Sequence, residues 1–178
     1  ETKKETPDVK LFFGLLVAGE ELFEIVEKRL VIDFGAIDLR SAVFPFTHTA
    51  HYSHAMGKKI LRRYVSCTTL MHMDELPEVK LHTNRVEKLF CDPDTQKRRV
   101  NIDPGYLTLS KVVLATTKDY DHRLYLSKGI FGEVTLTYKR KHGGFQPLPW
   151  TYPDYQEPHT LEFFNTLRET YKAQIRQT

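Results

Sequence analysis

The order of apolar patterns along the chain predicts an α+β protein, a mainly antiparallel sheet with packed helices. Three observations carry this. The first half alternates strand-length apolar runs with amphipathic stretches in the order β-α-β-β-α-β, a ferredoxin-like start. The second half holds short strand-like segments separated by turn residues, including a hairpin. The chain then ends in a long segment with a single apolar stripe. The 178 residues, 40% apolar and 28% charged with both signs mixed, suit one globular domain over 1–178 with a polar, flexible tail over 1–8.

Residues 9–17 are nearly all apolar, as in a central strand buried on both faces. Glu20 and Glu21 open a helix over 20–34, with apolar residues three and four apart and Gly35 as its stop. Strands follow over 37–46, closed by Pro45, and over 61–70, with a polar loop bearing histidines between them. The stretch 74–90 is ambiguous, since Pro77 can start a helix while Val79 and Leu81 alternate as in a short extended piece; Asn84 followed by Glu87 resembles a capping box, so a helix over 84–90 is the part adopted. Asp103-Pro104-Gly105 reads as a type II turn that ends a short strand and reverses the chain.

Residues 112–117 form another strand, and 122–126 and 130–138 a hairpin around a three-residue loop, Ser127-Lys128-Gly129, with Gly129 left-handed. That register sets Leu126 opposite Ile130, Tyr125 opposite Phe131 and Arg123 opposite Glu133. It places Arg123, Glu133, Thr135 and Thr137 on one face and Val134, Leu136 and Tyr138 toward the core. A proline-rich aromatic stretch over 147–155 runs extended across the surface, and a helix over 159–175 completes the chain.

Composition narrows the partners. A formal charge of +3 is too small to imply nucleic acid or membrane by itself. The longest apolar run, 11–17, is too short to span a bilayer, so no membrane association is expected. Two cysteines, neither in a CxxC pair, give no disulfide framework and fit the cytoplasm. No P-loop occurs, and in the strand-following Thr117-Lys118 sequence Tyr120 stands where a base-reading carboxylate belongs, which argues against GTPase chemistry. His48, His51 and His54 could share a metal on a helix but lack a carboxylate or cysteine partner, so a solvated loop is the reading adopted and no metal site is assigned.

Potentially reactive groups are densest around Arg99, Asn101, Asp103, Lys111, Lys118, His122, Arg123 and Glu133. His122 between Asp119 and Asp121 has the surroundings of a general acid/base, with Asp103 and Glu133 as carboxylate partners. The bland alternative is ordinary turn chemistry. Three basic clusters, at 58–63, 97–99 and 139–142, adjoin aromatic segments as in nucleic-acid surfaces, or are solvated guards of strand ends.

FPF at 44–46, MGK at 56–58, RRVNIDPGYLTLSKVVLATTKD at 98–119, HRLYLSKGIFGEVTL at 122–136 and PWTYPDY at 149–155 closely resemble a bacterial and archaeal family, domain-of-unknown-function family 4416. The resemblance spans nearly the whole chain and implies a single-domain cytoplasmic protein. Residues after FPF depart from the family pattern, with His48, His51 and His54 where acidic and aromatic residues usually stand, which weakens the metal reading further. Carried over by position, the resemblance adds Lys80, Asn84, Tyr152, Asp154 and Tyr155 to the set above and implies a site for an anionic ligand.

The expectation is therefore a protein that binds a phosphate-bearing, nucleotide-like small molecule, with phosphotransfer or hydrolysis at His122, Asp103 and Glu133. The alternative is a noncatalytic RNA-binding or protein-assembly module using the basic clusters and the rings of Trp150, Tyr152 and Tyr155. No cofactor is specified by the residues.

Overall fold

The structure, a computed structural model, describes residues 5–48, 55–57 and 59–177. In chain order its first half holds β1 (Val9–Val17), α1 (Leu22–Phe34), β2 (Ile37–Arg40), β3 (Phe44–Pro45), β4 (Leu61–Met71) and α2 (Leu76–Leu89). The second half holds β5 (Val100–Leu107), β6 (Lys111–Thr116), β7 (Leu124–Ser127), β8 (Ile130–Lys139), β9 (Gly144–Pro147) and α3 (Pro158–Ile175). The nine strands make one antiparallel sheet in the order β2-β4-β1-β5-β6-β8-β7, with β3 on β4 and β9 on β8.

The four strands β2-β4-β1-β5 with α1 and α2 form the ferredoxin-like unit expected at the start. Every residue of β1 is buried, because helices cover both faces of the sheet. Val9, Leu11, Phe13, Leu15 and Val17 pack with Leu22, Val26 and Leu30 of α1 and Leu76, Val79 and Val86 of α2. Phe12 faces the other way and meets Phe164 of α3 edge-on, with ring centroids 4.9 Å apart. Lys10, on that same face and fully buried, donates to Asp38 and to Gln174 Oε1 at 2.7 Å, so its charge is compensated.

Several local expectations need correction. The stretch 37–46 is two short strands, β2 and β3, because Ser41 leaves the ladder to exchange hydrogen bonds with the Tyr64 backbone. The helix begins at Leu76 rather than Asn84. Pro77 occupies its first turn, and Glu75 accepts the His72 N–H at 2.9 Å, so the capping carboxylate is Glu75 and Asn84 lies mid-helix.

Asp103-Pro104-Gly105 is not a turn, since β5 runs straight through it. Pro104 is tolerated because β6 pairs only from residue 105 onward. Gly105 is needed because a Cβ there would stand 2.5 Å from the Phe12 ring and 2.4 Å from the Val113 carbonyl oxygen.

In the hairpin, Tyr125 does pair with Phe131, but Ser127 rather than Leu126 stands opposite Ile130. The loop is thus two residues, Lys128 and Gly129, with φ of 52° and 76°, the pattern of a type I′ turn. A bulge between Val113 and Val112 inserts Thr135 into β8. Val134 then packs toward α1 and α2 while Leu136 joins the α3 side, so the uniform alternation expected there switches faces.

Candidate functional site

The β5–β6 ladder pairs only residues 105–107 with 112–114. Earlier in β5, residues 100–104 keep β1 on one side and meet α2 on the other, where Glu87 Oε1 accepts the Ile102 N–H at 2.7 Å in place of a strand carbonyl. This opening in the sheet becomes a cleft of about 570 Å³, within the range of small-molecule sites.

Its walls come from separate segments. One face of α2 supplies Lys80, Asn84, Glu87 and Lys88, the i, i+4, i+7, i+8 positions that align on a helix. Asn101 and Asp103 of β5 project beside them, with Arg98 just before that strand. Lys118 and Arg123 enter from the loop between β6 and β7, and Glu133 from β8. The strap joining β9 to α3 contributes Tyr152, Asp154 and Tyr155.

Most of the charge here is internally balanced. Arg62 of β4 and Asp154 are both buried and form an ion pair through Nε and Nη2. The Arg62 guanidinium also lies 5.1 to 5.7 Å from the rings of Phe46, Tyr64 and Tyr155. Glu133, 2% exposed, accepts from Arg123 Nε at 3.0 Å and lies 2.7 Å from His122 Nε2. Arg123 also donates Nη1 to the Lys118 carbonyl and Nη2 to the Tyr152 hydroxyl, each at 3.0 Å. All three nitrogen positions of Arg123 are therefore used in tying β8, the loop before β7 and the strap together.

His122 stands behind Glu133 rather than in the cleft lining, its ring stacked on Trp150 with centroids 5.0 Å apart. Its Nδ1 lies 2.9 Å from Asp121 and its Nε2 faces Glu133, and these hydrogen bonds, Asp121 first, raise its pKa above the ordinary value. Carboxylates at both nitrogens favour the protonated ring and leave no nitrogen to spare for a substrate.

Glu87 is the opposite case. Burial pushes its carboxyl up to about 6, against the Ile102 hydrogen bond and the nearby Lys80 charge.

Buried polar capacity is unmet at several points of the lining: Arg62 Nη1 and Tyr155 Oη have no hydrogen-bond partner among the described residues, and Lys80 is poorly served. Its side chain is only 9% exposed, yet among the described residues its ammonium makes a single contact, 3.4 Å to Asp103 Oδ1. Asp103 is meanwhile held by Asn101 Nδ2 at 2.7 Å. Arg98 gives only Nη1, to Asn101 at 3.2 Å, and the ammonium groups of Lys88 and Lys118 have no hydrogen-bond or ion-pair partner among the described residues. In the lining, six Lys and Arg side chains face four carboxylates.

Of the residues expected at a site, Lys80, Asn84, Asn101, Asp103, Lys118, Arg123, Glu133, Tyr152, Asp154 and Tyr155 come together in this cleft. Arg99 and Lys111 do not. Arg99 turns outward to Glu21 at 3.5 Å, and Lys111 lies at the opposite end of β6, across from Thr137. Glu87 and Lys88 line the cleft without having been expected at a site, and Arg62 and Arg98 join it from the basic clusters at 58–63 and 97–99. The signal for Glu87 and Lys88 was available, since both follow Lys80 at helical spacing once the helix is extended back to Leu76. In the basic cluster at 58–63, Lys58 lies outside the described residues, Lys59 is exposed, Arg62 points inward and Arg63 is paired with Glu27 at 2.9 Å. Of the strap rings, Tyr155 is buried while Trp150 and Tyr152 are exposed. His51 and His54 lie outside the described residues, and His48 Nε2 stands 3.0 Å from Glu157. No group of three or more metal-ligating side chains occurs among the described residues, and no helix is long and apolar enough to cross a membrane.

Fold and cleft together define an α+β protein in which a ferredoxin-like unit is extended by a β-hairpin region, with a basic cleft where the two join. The chain belongs to the family described as Domain of unknown function (DUF4416), which it matches over residues 7–171. Neither a curated protein nor a solved structure matches it.

Proposed function

We propose that this protein binds a phosphate-bearing small molecule of nucleotide size in the cleft at the β5–β6 opening. One observation carries the reading: Lys80, a buried ammonium, has a single long contact among the described residues, where Lys10, also buried, has two acceptors. Lysine is rarely buried without compensation, and the cleft carboxylates other than Glu87 are already engaged by cations or amides. An anion entering beside Asn84 and Asn101 supplies what Lys80 lacks. Phosphate oxygens suit this setting because they accept several charge-assisted hydrogen bonds at once. For a hydrolytic or phosphotransfer step, the group in the cleft with a carboxyl near neutrality is Glu87, while His122 acts through Glu133. A cytoplasmic setting accords with the free thiols Cys67 and Cys91.

A thermal-shift panel of nucleoside mono- and diphosphates, with the parent nucleosides as controls, tests the reading. At least one phosphorylated compound is expected to raise the melting temperature while its nucleoside does not. Lys80→Met should weaken that compound roughly tenfold or more, the scale of a lost charge-assisted hydrogen bond. Stabilisation by none of them, or undiminished stabilisation of Lys80→Met, would remove the proposal.

A further inference from the structure

The cations of the cleft whose hydrogen-bonding capacity is not filled come from several segments. Lys80 and Lys88 share one face of α2 and are eight residues apart, which is about 12 Å of helix axis. Lys80 is buried at the inner end and Lys88 exposed at the rim. Arg98, from the loop before β5, and Lys118, from the loop after β6, also stand exposed in the lining, so three chain segments place a cation at the outer part of the cleft. A single phosphate has its oxygens within about 2.5 to 3 Å of one another and cannot occupy both ends of that span while keeping hydrogen-bond distances.

The pairing pattern gives the same answer in charge. Asp154 is matched by Arg62, Glu133 by Arg123 and His122, and Asp103 in part by Lys80. Glu87 is then the one carboxylate of the described lining without a cationic hydrogen-bond partner, with the charges of Lys80 and Arg98 near it, which leaves Lys88 and Lys118 unmatched. The unmatched surplus lies toward the outer end, whereas the unmet hydrogen-bonding capacity of a buried group lies at the inner end. One anionic group cannot answer both.

We infer that the cleft takes a ligand with at least two phosphoryl groups in line along α2, one at Lys80 and Asn84 and the next among Lys88, Arg98 and Lys118. The inference rests on the anion-binding reading above and names the class of ligand for that site.

Calorimetric titration with orthophosphate and with pyrophosphate, at physiological salt, tests it using the intact chain. Pyrophosphate is expected to bind roughly tenfold or more tightly than orthophosphate. The exposed double variant Lys88→Ala, Arg98→Ala should remove most of that advantage and leave orthophosphate affinity within about threefold of wild type. Lys141→Ala, in the basic segment between β8 and β9 and outside the cleft, is the control for unspecific attraction and should leave both affinities unchanged. Equal affinities for the two anions, parallel losses of both in the double variant, or an equal loss in Lys141→Ala would overturn the two-phosphoryl assignment while leaving an anion site in place. Binding of neither anion would overturn the site itself.

Discussion

Glu87 shows how one side chain can serve both the sheet and the cleft. Its carboxylate stands in for the missing strand beside β5 by accepting the Ile102 N–H, and burial raises its pKa from 4.5 to about 6. Because the folded value lies above the unfolded one, the associated stability is fully present below pH 4.5 and is lost as pH rises through about 6. The difference corresponds to on the order of 2 kcal/mol at neutral pH. Glu87→Gln keeps a carbonyl oxygen for Ile102 and removes the titration. Urea unfolding should therefore show the variant close to wild type at pH 4.5 and more stable by about 1 to 2 kcal/mol at pH 8. A difference independent of pH would mean that Glu87 ionises as freely in the folded protein as in the unfolded one. Residue identity alone did not single out Glu87, because a capping role for it at 84–90 looked sufficient. Its function as a strand substitute depends on where β6 stops pairing, a tertiary fact.

At the scale of elements, legibility followed local chemistry. The long apolar run of β1, the amphipathic α1 and α3, and the two strands of the hairpin declared themselves through periodicity. The errors arose where a local signal had a competing tertiary use. Pro104-Gly105 looked like a turn, but the proline occupies a stretch with no strand on its second side and the glycine makes room for the Phe12 ring. Gly129 carries a purely local demand. With φ of 76° in a two-residue loop, it should not tolerate a branched side chain, although a Cβ there would meet no neighbour within 4 Å. Gly129→Val is thus expected to cost about 1 to 2 kcal/mol through backbone strain alone, read from the urea midpoint. Lys128→Gly, at φ of 52°, should be neutral or slightly stabilising by the same measurement. A tolerated Gly129→Val together with a damaging Lys128→Gly would contradict the type I′ assignment.

For the whole molecule, the cleft matters because it joins layers that otherwise meet only through the sheet. Lys80, Asn84 and Lys88 belong to the α1 and α2 side, whereas Tyr152, Asp154 and Tyr155 belong to the strap leading into α3 on the other side. The site residues in the second half were recognisable as a polar cluster in sequence, but their meeting with α2 follows from the unpaired side of β5, which no spacing rule encodes. This geometry makes a definite demand on binding. A ligand seated between Lys80 and Lys118 should slow amide exchange at the C-terminal half of α2, in the loop over residues 117–123 and in the strap together, because each contributes to one cavity wall. At a hundred times the dissociation constant, mass action adds about 2.7 kcal/mol to global stability, or roughly 5 to 10 °C for a domain of this size. Hydrogen-exchange mass spectrometry with pyrophosphate, at a concentration set by the calorimetric affinity, separates this effect from unspecific charge screening. Screening would shift the basic segment Arg140–His142 as much as the cleft, whereas occupancy of the cleft protects the two layers and leaves that segment unchanged. Protection confined to α2 would mean that the anion rests on the helix face and does not bridge the layers.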